Sequence, residues 1–185
     1  KSKFKFEGKL FNQYFVTENK AIDSLNYSGN YYRLFPTTGI KIETPMKIKG
    51  TNFFINPKFS IILNSGQSNS NKISNEESTN NIFEIGNQYK LSRYTGSDKL
   101  DNSKRLMYGL NMKRDFLSFN FIQNYEFEKN NNYNKEIGND NYLSDALANI
   151  SYDDGINSLK YELRYDPELE VIKSQSASTK NRIKI

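Results

Sequence analysis

Two of the commonest reactive residue types, His and Cys, are missing from this chain. The side chains that could do chemistry are therefore the ionic and hydroxyl ones. The 185 residues include neither His nor Cys, which removes the commonest general base, thiol nucleophiles, disulfides and Cys-ligated zinc. Ser144 beside Asp145 is only a nominal nucleophile and base, since no His is present to activate the serine. We therefore predict that the chain is not an enzyme and holds no metal and no cofactor.

The basic residues could instead bind an anionic partner. Lys and Arg number 26 against 21 Asp and Glu, a formal charge of +5, and such an excess can attract nucleic acid or an anionic surface. The basic residues are scattered along the chain, however, and no recognition-helix, RNP or zinc-finger pattern occurs. We predict no nucleic-acid partner.

Apolar and polar residues alternate almost everywhere along the chain. This alternation determines on which face of a structural element the charged side chains lie. From Leu117 to Phe127 the odd positions are mostly apolar or aromatic and most even positions are polar. The same period of two recurs at 40–48, 105–113 and 159–165, and no long segment has the spacing of an amphipathic helix. The chain is predicted to be all-β.

The length of the alternating segments favours a sheet that crosses a membrane. Strands of soluble sandwiches usually have about five or six residues, whereas a tilted strand needs roughly 9–11 to cross a bilayer. One face then meets lipid and the other lines a wet interior. The predicted fold is an antiparallel up-and-down transmembrane β-barrel, of which about seven or eight strands lie in this chain. A soluble sheet with cross-strand aromatic pairs is the alternative.

Turn signals divide the chain into eight strands. The predicted strands are 3–16, 29–48, 53–65, 103–113, 116–128, 142–152, 157–166 and a last one from about 169. The predicted long connections are 17–28, 66–102 and 129–141, and the short ones are 49–52, 114–115 and 153–156. Asp154-Gly155 is a strong hairpin signal. A further short connection is predicted at 166–168. Outer-membrane barrels alternate short periplasmic turns with long external loops, and the predicted connections follow this alternation until that final turn.

Residues 80–92 also alternate and could form one more spanning strand. Counting them would place the 114–115 turn outside and the Asn-rich 129–141 loop in the periplasm, against that rule. We therefore interpret 66–102 as one structured external loop. Residues 1–185 are interpreted as part of a single outer-membrane barrel domain, with no periplasmic domain in the chain.

Short motifs at ordered positions resemble those of a known family. The segments are Asn75-Glu76-Glu77-Ser78, then Arg93-Tyr94-Thr95-Gly96-Ser97-Asp98, then Tyr108-Gly109-Leu110. Their order is similar to the N-E-D-S-like, R-[FY]-[ST]-G-x-D-R and Y-G-L segments of the LPS-assembly outer-membrane protein LptD, or organic solvent tolerance protein, family. The likeness spans roughly residues 30–170, although Lys99 stands where the family usually has Arg. The family's periplasmic jellyroll domain is missing, so the chain is interpreted as a fragment of the C-terminal barrel region. The cysteines that take part in oxidative maturation of some family members are missing as well.

The resemblance implies transport without covalent chemistry. LptD-type barrels receive lipopolysaccharide (LPS) from periplasmic bridge proteins and, plugged by the lipoprotein LptE, insert it into the outer leaflet of the Gram-negative outer membrane. We expect the same location and partners here, together with contact to outer-membrane lipid. A general porin or receptor barrel is one alternative, and a soluble β-sandwich surface protein is a further one.

Two groups of residues are candidate site residues on this interpretation. Six cations share the polar face, where they could contact the polyanionic glycolipid or simply pair with neighbours such as Glu43 and Glu162. They are Lys41, Lys47, Arg105, Lys113, Lys160 and Arg164. In the motif loop, Asn75, Glu76 and Ser78 are expected to be structural, Gly96 to adopt positive φ, and Arg93 to pair with Asp98 and hold the loop against the barrel mouth. Direct contact of the loop with substrate or plug is the alternative.

Overall fold

The computed structural model describes residues 1–65, 69–74, 78, 85–86, 88–129 and 141–182. These residues form nine β-strands and no helix, which confirms the all-β prediction. The strands are β1 (Lys3–Ile22), β2 (Leu25–Glu43), β3 (Met46–Lys47), β4 (Phe53–Asn64), β5 (Arg105–Arg114), β6 (Leu117–Glu126), β7 (Ala146–Asp153), β8 (Asn157–Asp166) and β9 (Val171–Asn181). In this described part of the chain, no helix is long and apolar enough to cross a membrane.

All nine strands form one antiparallel sheet in which chain neighbours are also sheet neighbours. The order is β1-β2-β4-β5-β6-β7-β8-β9, and the short β3 pairs with β4 beside this path. This is the predicted up-and-down topology. We call the end of the sheet with the long connections the loop end, and the opposite end the turn end. Loop-end connections are 23–24, 65–104, 127–145 and 167–170, and turn-end connections are 44–52, 115–116 and 154–156.

The predicted long connection at 17–28 is wrong, because these residues extend the first two strands into a protruding hairpin. β1 and β2 pair as far as Ile22 and Leu25. A tight turn at Asp23-Ser24, with φ values of 46° and 70°, closes the hairpin. The stretch is mostly polar, and a register shift between Thr17 and Lys20 interrupts the pairing, so the alternation does not continue through it.

The rest of the predicted strand boundaries can be compared with two turn-end hairpins and with the 65–104 connection. The β5–β6 turn is Asp115-Phe116, not the predicted Arg114-Asp115, with Asp115 at a φ of 49°. The Asp154-Gly155 hairpin is confirmed, with Gly155 at a φ of 90°. β4 pairs directly with β5, so the chain leaves and re-enters the sheet at the same end. Of the 80–92 segment, residues 80–84 and 87 lie outside the described residues.

The cross-strand register separates two faces, since directly paired residues point to the same side of a sheet. The apolar face carries large exposed side chains, such as Phe6 at 73% and Ile61 at 43%. The polar face carries the described residues of the 65–104 connection, and we call it the covered face. Two small cores lie on the covered face, where side chains of the connection pack against the sheet. The first contains Ile62, Leu91 and Met107, the second contains Ile122 and Leu147, and Tyr89 packs against both.

Candidate functional site

A buried quartet of charges joins the 65–104 connection to the sheet. Arg93 Nε lies 2.9 Å from Asp101 Oδ2, and Arg105 Nη1 donates to the same oxygen at 2.8 Å. Arg93 Nη1 lies 2.7 Å from Glu126 Oε1, an ionic contact outside hydrogen-bond geometry. Arg105 begins β5 and Glu126 ends β6, where the register places them directly opposite each other. All four side chains are 0–2% exposed.

The quartet is held together because each buried charge needs its partners. Removing an ion from water costs several kcal/mol, which opposite charges and hydrogen bonds must offset. Burial alone would raise the pKa of Asp101, but the guanidinium groups of Arg105 and Arg93, with hydrogen bonds from Arg93 and Ser103, hold it well below its usual range. Asp101 is therefore ionised at neutral pH and binds both arginines.

Arg33 forms a second anchor on β2. Its guanidinium, in a residue 2% exposed, donates to Ser97 O at 2.7 Å and to Asp98 O at 3.0 Å. The Asp98 carboxylate accepts a hydrogen bond from Ser78 Oγ, whereas the ion pairs of Arg93 go to the quartet. The predicted Arg93–Asp98 pair is therefore wrong: each of the two residues binds a different part of the fold.

Gly96 shows the predicted positive φ, at 79°, and this leads to a testable consequence. Gly96→Val should impair assembly, because a β-branched residue is strained there by roughly 1–2 kcal/mol and would displace the carbonyls that Arg33 binds. The heat-modifiable folded fraction measures this, with Gly86→Val as control, since a Cβ at Gly86 meets open space. Normal assembly with a loss of function would instead favour the expected alternative, direct contact of this turn with substrate or plug.

Side chains of the 65–104 connection pack against two glycines of the sheet. Tyr89 lies against Gly109, where a Cβ would collide with its hydroxyl and lie 2.8 Å from Phe121 O. The Nζ atoms of Lys41 and Lys58 lie 4.7 and 5.9 Å from the Tyr89 ring centroid. Burial, with the nearby Glu43 carboxylate, raises the pKa of Tyr89, so the phenol stays neutral. At Gly39, a Cβ would lie 2.7 Å from Leu91 Cδ2.

The register places all six predicted cations on the covered face, but their surroundings differ. Arg105 is buried in the quartet, Arg164 Nε donates to Asp145 Oδ2 at 2.5 Å, and Lys41 Nζ lies 2.8 Å from Glu43 Oε1. Lys47, Lys113 and Lys160 are exposed toward the turn end. Lys160 Nζ also lies 2.6 Å from Glu162 Oε1. Of the six, Lys47 and Lys113 are exposed and form no such ion pair among the described residues. The motif residues Asn75 and Glu76 lie outside the described residues.

The turn-end half of the covered face is polar and open. Asn111, Asn120 and Asn149 are aligned across three strands, and Asn120 Nδ2 donates to Asn149 Oδ1 at 2.7 Å. A groove of about 550 Å³ opens beside the connection. Its lining includes Gly86, Asn149, Lys160, Glu162, Arg164 and Ser176. The part of the chain that the structure describes contains no group of three or more Asp or Glu side chains that could hold a metal ion.

Sequence reasoning missed Glu126 and Asp101 as partners of the arginines. A two-residue turn at 115–116 places Glu126 opposite Arg105, whereas the predicted turn one residue earlier places Asn124 there. The shift moves the register by two residues, which preserves the face but changes the partner. A correct position for the turn would therefore have predicted Glu126 as the residue opposite Arg105. No comparable local pattern identifies Asp101.

The described residues define an up-and-down antiparallel sheet protein with an exposed apolar face and a polar face covered by its own connection. The family model of LptD, described as LPS transport system D, matches residues 2–182. The chain therefore belongs to the LptD family, which confirms the resemblance in its motifs and associates the chain with LPS transport and the Gram-negative outer membrane. A comparison with curated proteins found no significant match.

Proposed function

We propose that this chain forms part of the barrel wall of an outer-membrane LPS translocon, which inserts LPS into the outer leaflet without covalent chemistry. The observation that carries the proposal is one up-and-down sheet with an exposed apolar face and a polar face bearing cations, in a chain of the LptD family. On this proposal the apolar face meets lipid and the covered face lines the interior. The partners are LPS, the plug lipoprotein LptE and the periplasmic bridge proteins.

The apolar face has the dimensions and polarity that hydrocarbon requires. β4, β5, β6 and β8 have 12, 10, 10 and 10 residues, close to the roughly 9–11 of a tilted spanning strand. Two glutamines on this face accept hydrogen bonds from tyrosine hydroxyls: Gln123 from Tyr108 at 2.6 Å and Gln175 from Tyr161 at 2.8 Å. Such bonds lower the cost of polar groups in lipid.

The distribution of connections orients the sheet in the membrane. The two longest connections, 65–104 and 127–145, both lie at the loop end. Because outer-membrane barrels have long external loops and short periplasmic turns, the loop end is proposed to be external and the turn end periplasmic. The described residues of the 66–102 segment then belong to an external loop that lies over the loop-end half of the covered face. Lys47, Lys113 and Lys160 lie in the periplasmic half of the covered face. LPS arriving from the periplasm reaches this half first.

Reversing two of the open cations tests the proposal. Lys47→Glu with Lys113→Glu should slow the appearance of new LPS at the cell surface by on the order of tenfold, because both charges would repel the polyanion. Both side chains are exposed, so folding should be unaffected. Arg114→Glu is the matched control, since Arg114 lies at the same end on the apolar face. Ion conductance through the barrel with unchanged LPS export in the double variant would favour the porin alternative.

A further inference from the structure

Two tyrosines face each other across the β1–β2 hairpin, on the apolar face. The register sets Tyr14 opposite Tyr32, and their side chains are 64% and 58% exposed. In the described strand pairs, no other tyrosine lies directly opposite a tyrosine. Directly opposite residues of an antiparallel pair have Cβ atoms about 4.5–5.5 Å apart. Rotation of these two exposed side chains therefore brings their rings within reach of each other.

The tyrosine pair lies beyond the end of the neighbouring strand. Thr37 is opposite Asn64, the last residue of β4. Tyr32 lies five residues further toward the loop end, about 16 Å at the usual rise of a strand. On the opposite side of the hairpin, Arg33 donates to Ser97 O at 2.7 Å, so the 65–104 connection supports the covered face and leaves the tyrosine side open. An oxidant dissolved in water can therefore reach both phenols.

We propose that Tyr14 and Tyr32 are a site of oxidative cross-linking, at which a dityrosine joins β1 to β2. The oxidant is hydrogen peroxide acting through a haem peroxidase, which removes one electron and one proton from each phenol. The two tyrosyl radicals couple through a new carbon–carbon bond between ring positions next to the hydroxyls. The ring protons at these positions then move to the phenol oxygens. The two hydrogen atoms lost overall reduce one peroxide to two waters.

The cross-link supplies a covalent connection that this chain cannot form in any other common way. No Cys is present, so no disulfide can close the hairpin. A register shift between Thr17 and Lys20 interrupts the strand pairing just beyond the tyrosines. A bond between residues 14 and 32 restricts the unfolded chain, as a disulfide does. Oxidation therefore keeps the two strands paired at temperatures at which the unmodified hairpin separates.

Treatment of the whole protein in detergent with hydrogen peroxide and a haem peroxidase tests the site. Mass spectrometry of the monomer should find the peptides of Tyr14 and Tyr32 joined, with the loss of two hydrogens. The folded, heat-modifiable band should also persist to a higher temperature after the treatment. Tyr14→Phe and Tyr32→Phe should each abolish the joined peptide and the temperature shift, because a phenylalanine ring has no hydroxyl from which a phenoxyl radical forms.

Tyr31→Phe is the matched control, because Tyr31 is adjacent in the chain but lies opposite Phe15 on the covered face. This variant should keep both the joined peptide and the temperature shift. Cross-links found only between two protein molecules, an undiminished yield in Tyr14→Phe, or a joined peptide without a temperature shift would overturn the proposal. The site is inferred from the two tyrosines alone, so its failure would leave the proposed transport function standing.

Discussion

Asp101→Ala should release the 65–104 connection from the sheet and lower the free energy of unfolding by about 3–5 kcal/mol, the usual cost of breaking a buried ion pair. Asp101 is the shared partner of Arg93 and Arg105, so its loss leaves two buried guanidinium groups without their bridging carboxylate. Denaturant unfolding measures the stability, and protease cleavage within the connection measures its release.

Glu128→Ala is the control for this variant, because it breaks an ion pair in which Glu128 is 68% exposed, and such pairs contribute little. A fully stable Asp101→Ala variant with a protected connection would contradict the role of the quartet. Equal destabilisation by the two substitutions would contradict it as well.

The same carboxylate should give the fold a specific acid sensitivity. Its pKa is held below the ordinary value of about 4, so its contribution to stability is fully present above that value. The contribution is lost as the pH falls from there toward the folded-state pKa. Asp101→Asn should therefore flatten the decline in unfolding free energy below about pH 4. An unchanged acid decline in this variant would show that other carboxylates cause it.

Gly109→Ala should be the most harmful glycine substitution in the sheet, lowering the unfolding free energy by up to about 3 kcal/mol. The new Cβ would lie 2.8 Å from the backbone oxygen of Phe121 and would also meet the Tyr89 hydroxyl, so strand and connection must both shift. Gly39→Ala is the matched control, because its closest contact, at 2.7 Å, is the flexible end of Leu91.

Tyr89→Phe in the Gly109→Ala background separates the two causes of this loss. It removes the hydroxyl contact but leaves the clash with Phe121 O, so stability should recover only in part. Unfolding midpoints of the three variants measure this. A Gly109→Ala variant that is as stable as Gly39→Ala would contradict the tight fit of Tyr89 on β5.

The alternation in the sequence predicted the sheet and its two faces because side-chain direction depends only on local period. It placed Arg105 and Lys113 on the same face, as observed. It could not predict that Arg105 would be buried and Lys113 exposed, because the difference depends on where the 65–104 connection lies. That position is set by contacts between residues far apart in sequence, such as Arg33 with Ser97.

Prediction of the 93–98 segment from sequence is limited in the same way, by contacts between elements. Gly96 could be predicted to adopt positive φ from its residue type, since the requirement is local. The partner of Arg93 could not, because Asp98 and Asp101 are both near in sequence and only the folded connection selects Asp101. The β1–β2 hairpin was missed for another reason: its polar tip and register shift interrupt the period on which the strand prediction rests.

In the proposed function the covered face, and not the apolar face, meets LPS on its way through the barrel. Met112 and Lys113 are adjacent in β5 at the turn end and point to the apolar and covered faces respectively. A photo-crosslinking residue at each position, in cells with pulse-labelled LPS, compares the two faces at one depth. We predict an adduct with new LPS from position 113 and only phospholipid adducts from position 112. LPS adducts from 112 with none from 113 would contradict the account.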